Sequence, residues 1–315
     1  MRVLITGVTG FVGSYLADYL SGTKKIELFG LRRPGSGKKG PAKVEIFDAD
    51  VRNGKTLQKI LKKIKPERVF HLAGAASAGQ SWKDPAKTFE NNIMGTRVLL
   101  EALSRNCPRA RVHVASSAEV YGFGSRNVRE NASFQPMNPY AVSKIAQEAL
   151  AQQYFLSHRM AIIRTRAFNH IGPKQNEIYV TSNFAKQVAA IEAELEKPVL
   201  RVGNLSAIRD FTDVRDVARA YWLCLERGKP GDVYNVCSGK GHAVSEILQY
   251  YLRQSAVKIA VRKNKALYRR IDAPALVGDP AKLRACTGWR PRYTFEQSLR
   301  DILAHWRKKF GEIRG

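Results

Sequence analysis

Apolar positions along this chain come as short runs divided by amphipathic stretches. "RVLIT" (2–6) is too short for a helix and rich in β-branched residues, so it predicts a strand. Glycines follow, then a helical pattern from Phe11 to Leu20. "IELFGL" predicts a second strand that stops at Arg32 and Arg33, and "VEIFDAD" a third. "TLQKILKKI" has helical spacing, with Lys59, Lys62 and Lys63 on a solvated face, and "RVFHLAG" predicts a fourth strand. A helix over 88–105, the strand "ARVHVASS", a helix opening at Pro139 and the strand "MAIIRTRAF" continue the alternation. Such alternation predicts an α/β fold, a doubly wound parallel sheet with helices on both faces. Beyond residue 166 the pattern turns less regular, with Asn-, Gly- and Pro-rich loops such as "FNHIGPKQN" and "NVCSGKG". The expected organisation is a first domain over 1–165 and a smaller, mixed α/β portion over 166–315. The two interleave through a returning segment near 210–237 that includes "GDVYNVCSG". The helices at 88–105 and after Pro139 are apolar on more than one side, which predicts a helix–helix homodimer interface.

Composition narrows the classes. A hydrophobic share of 44% over 315 residues supports a substantial core rather than disorder. No apolar run approaches a membrane span, and the first residues lack a cleavage pattern. Four scattered cysteines (Cys107, Cys224, Cys237, Cys286) have no metal-like spacing, so neither disulfide nor metal is expected and a reduced, cytoplasmic setting follows. The 53 basic against 27 acidic residues give +26, which points to anionic small molecules or to nucleic acid. No groove-reading or aromatic RNA-binding signature accompanies the charge, so nucleic acid is not the expected partner.

"GVTGFVG" puts Gly7, Gly10 and Gly13 between the first strand and the first helix. Glycines there allow a tight turn and bring a helix N-terminus up to a pyrophosphate, as in Rossmann-type dinucleotide sites. Where an acid would accept from the ribose of NAD, this chain has Arg32 and Arg33, which suit the 2′-phosphate of NADP(H), with NAD(H) the alternative. Asp50 in "DADVR" is a candidate for the adenine amino group or a helix cap. The expected cofactor set is Gly7, Thr9, Gly10, Phe11, Val12, Gly13, Arg32, Arg33, Asp50, Val51, Leu72, Ala73, Gly74, Tyr140, Lys144 and His170.

In "NPYAVSK", Tyr140 and Lys144 are four apart, on one face of the helix that Pro139 opens. A nearby ammonium lowers a phenol's pKa, as proton transfer near neutrality requires, although this spacing is also common on ordinary helices. "VASSAEVYG" ends the preceding strand with two hydroxyls, of which Ser117 is preferred over Ser116 for orienting a substrate oxygen. Glu119 is a candidate general base or a loop carboxylate paired with a cation, while His71 reads as structural.

The ordered set "GVTGFVG", "HLAG", "SSAEVYG" and "YAVSK" resembles the extended short-chain dehydrogenase/reductase family. The resemblance implies that Tyr140 is the acid/base at the substrate oxygen and that Lys144 lowers its pKa and holds the nicotinamide ribose. The second half is similar to enzymes acting on GDP-linked 6-deoxyhexoses, above all the GDP-4-dehydro-6-deoxy-D-mannose reductases. That likeness implies that Asn169, Arg209 and Arg269 contact the diphosphate and that Asp272, in place of a glutamate, lies near the guanine or ribose. Ser77, Ser117, Val180 and Asn183 complete the expected substrate set. An ion pair with Asp213 or Asp216 is the competing role for Arg209. The implied reaction is NADPH-dependent reduction of a C4 ketone. A GDP-mannose 4,6-dehydratase is the alternative, then a 4-epimerase, and outside enzymes an NADPH-binding sensor.

Overall fold

Strand periodicity decides how the first half folds. In β1 (Arg2–Thr6), Val3 and Ile5 point into one apolar cluster and Leu4 into another, so the strand is covered on both faces. The computed structural model describes residues 1–23, 25–123, 126–268 and 270–314. After β1 come α1 (Phe11–Ser21), β2 (Glu27–Arg32), β3 (Val44–Asp48), α2 (Gly54–Ile64) and β4 (Arg68–His71). Leu57, Ile60, Leu61 and Ile64 form the buried stripe of α2, and Lys59, Lys62 and Lys63 are exposed opposite it. The short α3 (Ala78–Ser81) and α4 (Pro85–Phe89) lead through a π turn at Glu90–Met94 into α5 (Gly95–Asn106). The helix expected over 88–105 thus starts at Pro85, capped by Asp84, and widens where Asn92 turns its amide onto the backbone of Ala75. β5 (Arg111–Ser117), α6 (Pro139–His158) and β6 (Ile162–Ala167) follow.

The second half is more regular than its loop-rich sequence predicts. It holds β7 (Asn169–Ile171), α7 (Val180–Glu192), β8 (Val199–Val202), β9 (Ile208–Asp213), α8 (Val214–Arg227) and β10 (Val233–Val236). Then come β11 (Gly241–Ala243), α9 (Val244–Gln254), β12 (Ala260–Lys263), β13 (Ala275–Leu276), α10 (Ala281–Thr287) and α11 (Phe295–Arg314). Among the described residues the main sheet has seven strands in the order β10-β6-β5-β4-β1-β2-β3, all pairs parallel. Chain direction reverses across the sheet between β1 and β4, and a doubly wound fold opens its ligand crevice beyond the carboxyl ends of the strands there. Helices α1 and α8 cover one face and α2, α5 and α6 the other, while α7, α9 and α11 enclose a separate core. α8 and β10 return to the main sheet, as does Trp289 beyond α10, which is fully buried in the first cluster. Among the described residues no helix is long and apolar enough to cross a membrane.

"RDFTDVRD" ties separate segments of the second half together through three buried carboxylates. Asp210 accepts from the backbone N–H of Ser238 and Gly239, and Asp213 caps α8 and accepts from Ser298. Asp216 accepts from the backbone N–H of Arg292 and Tyr293 and from Arg219. Replacing Asp216 by alanine strands two N–H groups and a guanidinium in the interior, so a loss of about 3–5 kcal/mol is expected. Urea unfolding of the Asp216→Ala variant measures it, and a change below about 1 kcal/mol would show that the carboxylate is not a fastening.

Candidate active site

The turn after β1 is built for close approach. Gly7 has φ +70°, and a Cβ there would lie 2.9 Å from the backbone nitrogen of Ala73 after β4. A Cβ on Gly13 would lie 2.3 Å from the Gly7 carbonyl oxygen. Only glycine keeps this turn, β4 and the start of α1 so near one another. A cavity of about 800 Å³ opens here, lined by Gly7, Thr9, Gly10, Asp50, Val51, Leu72, Ala73, Gly74 and Ser77 from the expected set. The bare backbone at its floor fits the pyrophosphate of a dinucleotide. Phe11 stacks on His170 with ring centroids 6.0 Å apart, and Val12 and Gly13 continue α1 behind the turn.

The two arginines after β2 divide their tasks. Arg32 lies opposite Asp48 in the parallel β2–β3 register and makes a fork of two 2.7 Å bonds to its carboxylate, holding that carboxyl below its ordinary range. Arg33 instead lines the cavity with Ser36 and Lys38. Asp50 accepts the guanidinium of Arg52, which holds its carboxyl down, while still bordering the cavity.

Tyr140 and Lys144 stand on α6 because Asn138 caps it, accepting from the Ala141 N–H at 2.8 Å, and Pro139 fills its first position. The amide of Asn138 also donates to Glu119 at 3.1 Å, which fixes that carboxylate beside the helix start. The Ser117 hydroxyl lies near enough to the Tyr140 phenol to pull its pKa down, and Ser117 Oγ accepts from the Glu119 N–H. Ser116 Oγ is buried without a partner in the protein. Lys144 Nζ donates to the Ala115 carbonyl and to Gln147 Oε1, each at 2.8 Å, and lies 5.7 Å from the centre of the Tyr140 ring.

The electrostatics differ from the expectation of a phenol made acidic by its neighbour. Burial pushes the Tyr140 phenol well up, with the Ser117 hydroxyl pulling the other way. Burial also brings Lys144 down to about 8, against the Glu148 carboxylate. The ammonium bonds a strand carbonyl and a glutamine rather than the phenol oxygen, so the phenol is held as an acid.

Across the cleft, Arg209 on β9 donates from Nη2 to Asp272, which also accepts from Asn204 at 3.0 Å. The competing pairing of Arg209 with Asp213 fails on distance, since four residues of strand separate them by about 13 Å. Asp216 is engaged by Arg219. Arg269 lies outside the described residues. Asn169 is half-buried on β7, beside Phe211 of β9. Val180 opens α7, and Asn183 one turn on donates to the Glu177 carbonyl. Ser77 caps α3, accepting from the Gln80 N–H. Tyr179, which the motifs did not mark, reaches over the cleft to donate to the Ala76 carbonyl at 3.1 Å. Asn138 could have been found from its place before Pro139, and Gln147 from its i+3 spacing to Lys144. Asn204 and Tyr179 carry no local signal.

A family model described as GDP-mannose 4,6 dehydratase matches residues 4–302. The chain is 33% identical to the GDP-6-deoxy-D-mannose reductase of Pseudomonas aeruginosa, over 99% of both chains. It is 27% identical to the GDP-mannose 4,6-dehydratase of Yersinia enterocolitica, over 96% of this chain and 93% of that one. The solved structure of RMD from Pseudomonas aeruginosa complexed with NADPH superposes with a TM-score of 0.86 at 32% identity, covering 98% of this chain and 99% of that one.

His71 and His113 lie in the interior, and burial holds both imidazoles neutral down to about pH 3. Unfolded, they take up protons at the ordinary value of 6.5. Between these values the unfolded chain binds more protons, so stability falls with falling pH, by about 1.4 kcal/mol per pH unit for each histidine. Urea unfolding at pH 7 and pH 5 should show the loss, and a His113→Gln variant that remains folded should show a shallower slope. Equal slopes would mean that His113 does not contribute.

Proposed function

The chain belongs to the GDP-mannose 4,6-dehydratase family, and from that we propose that it is an NADPH-dependent reductase of the C4 ketone in a nucleotide-linked 4-keto-6-deoxyhexose. The substrate we favour is GDP-4-dehydro-6-deoxy-D-mannose, with GDP-D-rhamnose as product. The observation that carries an oxidoreductase reading is the placement of buried Tyr140 and Lys144 on one face of α6 with Ser117 at the end of β5, while the reductase direction rests on a likeness in sequence. The likeness to the Pseudomonas reductase over the full length of both chains supports it.

A bound NADPH supplies the hydride that reduces the ketone carbon. Tyr140 gives its phenolic proton to the oxygen, which would otherwise carry the developing negative charge. Ser117 donates to the same oxygen and orients it. Lys144 offers a cationic N–H to the ribose hydroxyls and stabilises the phenolate left after transfer. Backbone N–H groups at the start of α1 would hold the pyrophosphate, and Arg33 with Ser36 and Lys38 would take the 2′-phosphate. On the other wall, Arg209 takes the diphosphate of the sugar nucleotide.

Glu119 supports a second reading. Asn138 holds its carboxylate at the start of α6, where it could remove the C5 proton in a 4,6-dehydratase. GDP-mannose offered alone separates the two, because only a dehydratase converts it to a keto sugar. With GDP-4-keto-6-deoxymannose, the reductase should consume one NADPH per sugar. Tyr140→Phe should lower kcat by about 10²–10⁴-fold with cofactor binding retained. A dead reaction in the wild type, or undiminished turnover in the variant, would refute the proposal.

Cofactor choice gives an independent test. Arg33→Ser should weaken NADPH binding about tenfold or more while leaving NADH binding unchanged. Arg32→Ser should have a smaller effect, because that guanidinium is spent on Asp48. Equal losses for both substitutions would contradict the division drawn between the two arginines.

A further inference from the structure

One buried polar chain is left over once the reaction has been assigned its residues. Gln147, Thr96 and His71 are each at most 1% exposed, and none of them lines the cavity. Gln147 lies one turn beyond Lys144 on α6. Lysine only donates, so the 2.8 Å contact from Lys144 Nζ fixes the amide with its oxygen toward the ammonium. The amide nitrogen then donates to Thr96 Oγ1 on α5 at 2.8 Å.

The hydroxyl of Thr96 spends its single proton on the Asn92 carbonyl at 2.6 Å, so His71 Nε2, 2.9 Å away, must donate to it. His71 Nδ1 is therefore an acceptor, and it takes the proton of Thr6 Oγ1 at 2.9 Å. Thr6 Oγ1 in turn accepts from the N–H groups of Leu72 and Ala73 at 3.2 and 3.1 Å. One arrangement of protons, with His71 neutral, accounts for every hydrogen bond named along this path. The chain runs from the backbone under the dinucleotide cleft, through β1, β4 and α5, to the ammonium on α6.

We propose that Gln147, anchored by Thr96 and His71, is a positioning residue that fixes the Lys144 ammonium so that its remaining N–H meets the cofactor ribose. The inference rests on the reading of Lys144 given above. Two of the three N–H groups of Lys144 are taken by Ala115 and Gln147, which leaves one for a ligand. Without Gln147 the side chain loses the acceptor that holds it on α6 and the charged form loses a partner. With a carboxylate in its place the charged form gains one. The other ionisable groups facing the ammonium are Tyr140 and Glu148 from α6, His71 from β4 and His113 from β5, while α5 contributes the uncharged Thr96.

NADPH titration by fluorescence between pH 6 and 10, with no sugar present, tests this apart from the sugar assignment. Wild-type affinity should fall as Lys144 loses its proton. Gln147→Leu should move that midpoint down by about one pH unit, and Gln147→Glu should move it up. A packing defect cannot shift the midpoint in opposite directions. Lys144→Met should abolish the transition, and a transition that persists there would overturn the Lys144 reading and the proposal with it. Folded Gln147 variants with the wild-type midpoint would overturn the proposal while leaving that reading intact. Should Gln147→Leu fail to fold, Gln147→Glu against wild type decides by itself.

Discussion

An ammonium taken out of water has to be surrounded by acceptors or give up its charge, and Lys144 meets that demand at the place where five elements converge. Its partners come from the end of β5 and from the next turn of α6, and through Gln147 they extend to α5, β4 and β1. A parallel sheet brings the carboxyl ends of its strands together, so this is where polar groups on separate strands can be joined into one network. The same convergence opens the cleft between β1 and β4. The polar interior and the ligand site therefore arise from one topological fact, and residues that tie α6 to the strands also determine where its phenol and ammonium lie.

Charge is used differently inside and outside. Asp210, Asp213 and Asp216 are buried and each gathers backbone or hydroxyl donors from segments far along the chain, so they act as fastenings within the second half. Many basic residues are exposed, and their excess favours anionic ligands at long range without specifying one. Specificity has to come from individual geometry. Arg32 and Arg33 are adjacent, yet strand alternation turns the first onto Asp48 and leaves the second at the cavity.

What could be read from the sequence was what depends on neighbours along the chain. The period of "RVLIT", the glycines after it and the lysine face of "TLQKILKKI" each report a local rule, and the structure holds the corresponding strand, turn and helix. Long-range partners were not legible. Arg209 meets Asp272, 63 residues away, and Tyr179 meets Ala76 across the cleft, pairings that no spacing announces. The regularity of the second half was hidden by its loops, because turn residues draw attention away from the apolar stripes of α7, α9 and α11 that enclose the third core. The expected effect of Lys144 on Tyr140 failed for a different reason. Spacing puts two groups on one face, but burial acts on each of them separately and here moves both toward their neutral forms.

That imbalance bears on the direction of chemistry. A phenol raised by burial is a proton donor in waiting, which suits the delivery of a proton to a ketone oxygen as hydride arrives at its carbon. Taking a proton from an alcohol, the opening step of a dehydratase, asks the same phenol to be ionised first, at a greater cost in a buried site. A cation nearby reduces that cost only while it stays protonated, and burial lowers Lys144 toward neutrality as well. Whatever preserves the lysine's charge therefore governs how readily the phenolate can form. In this chain that task falls on a carbonyl at a strand end and on an amide held from behind by a threonine and a neutral histidine. The interior's solvation of that one amine serves both chemistries, as does the triad itself, so the reaction direction we propose rests on the likeness to the Pseudomonas reductase.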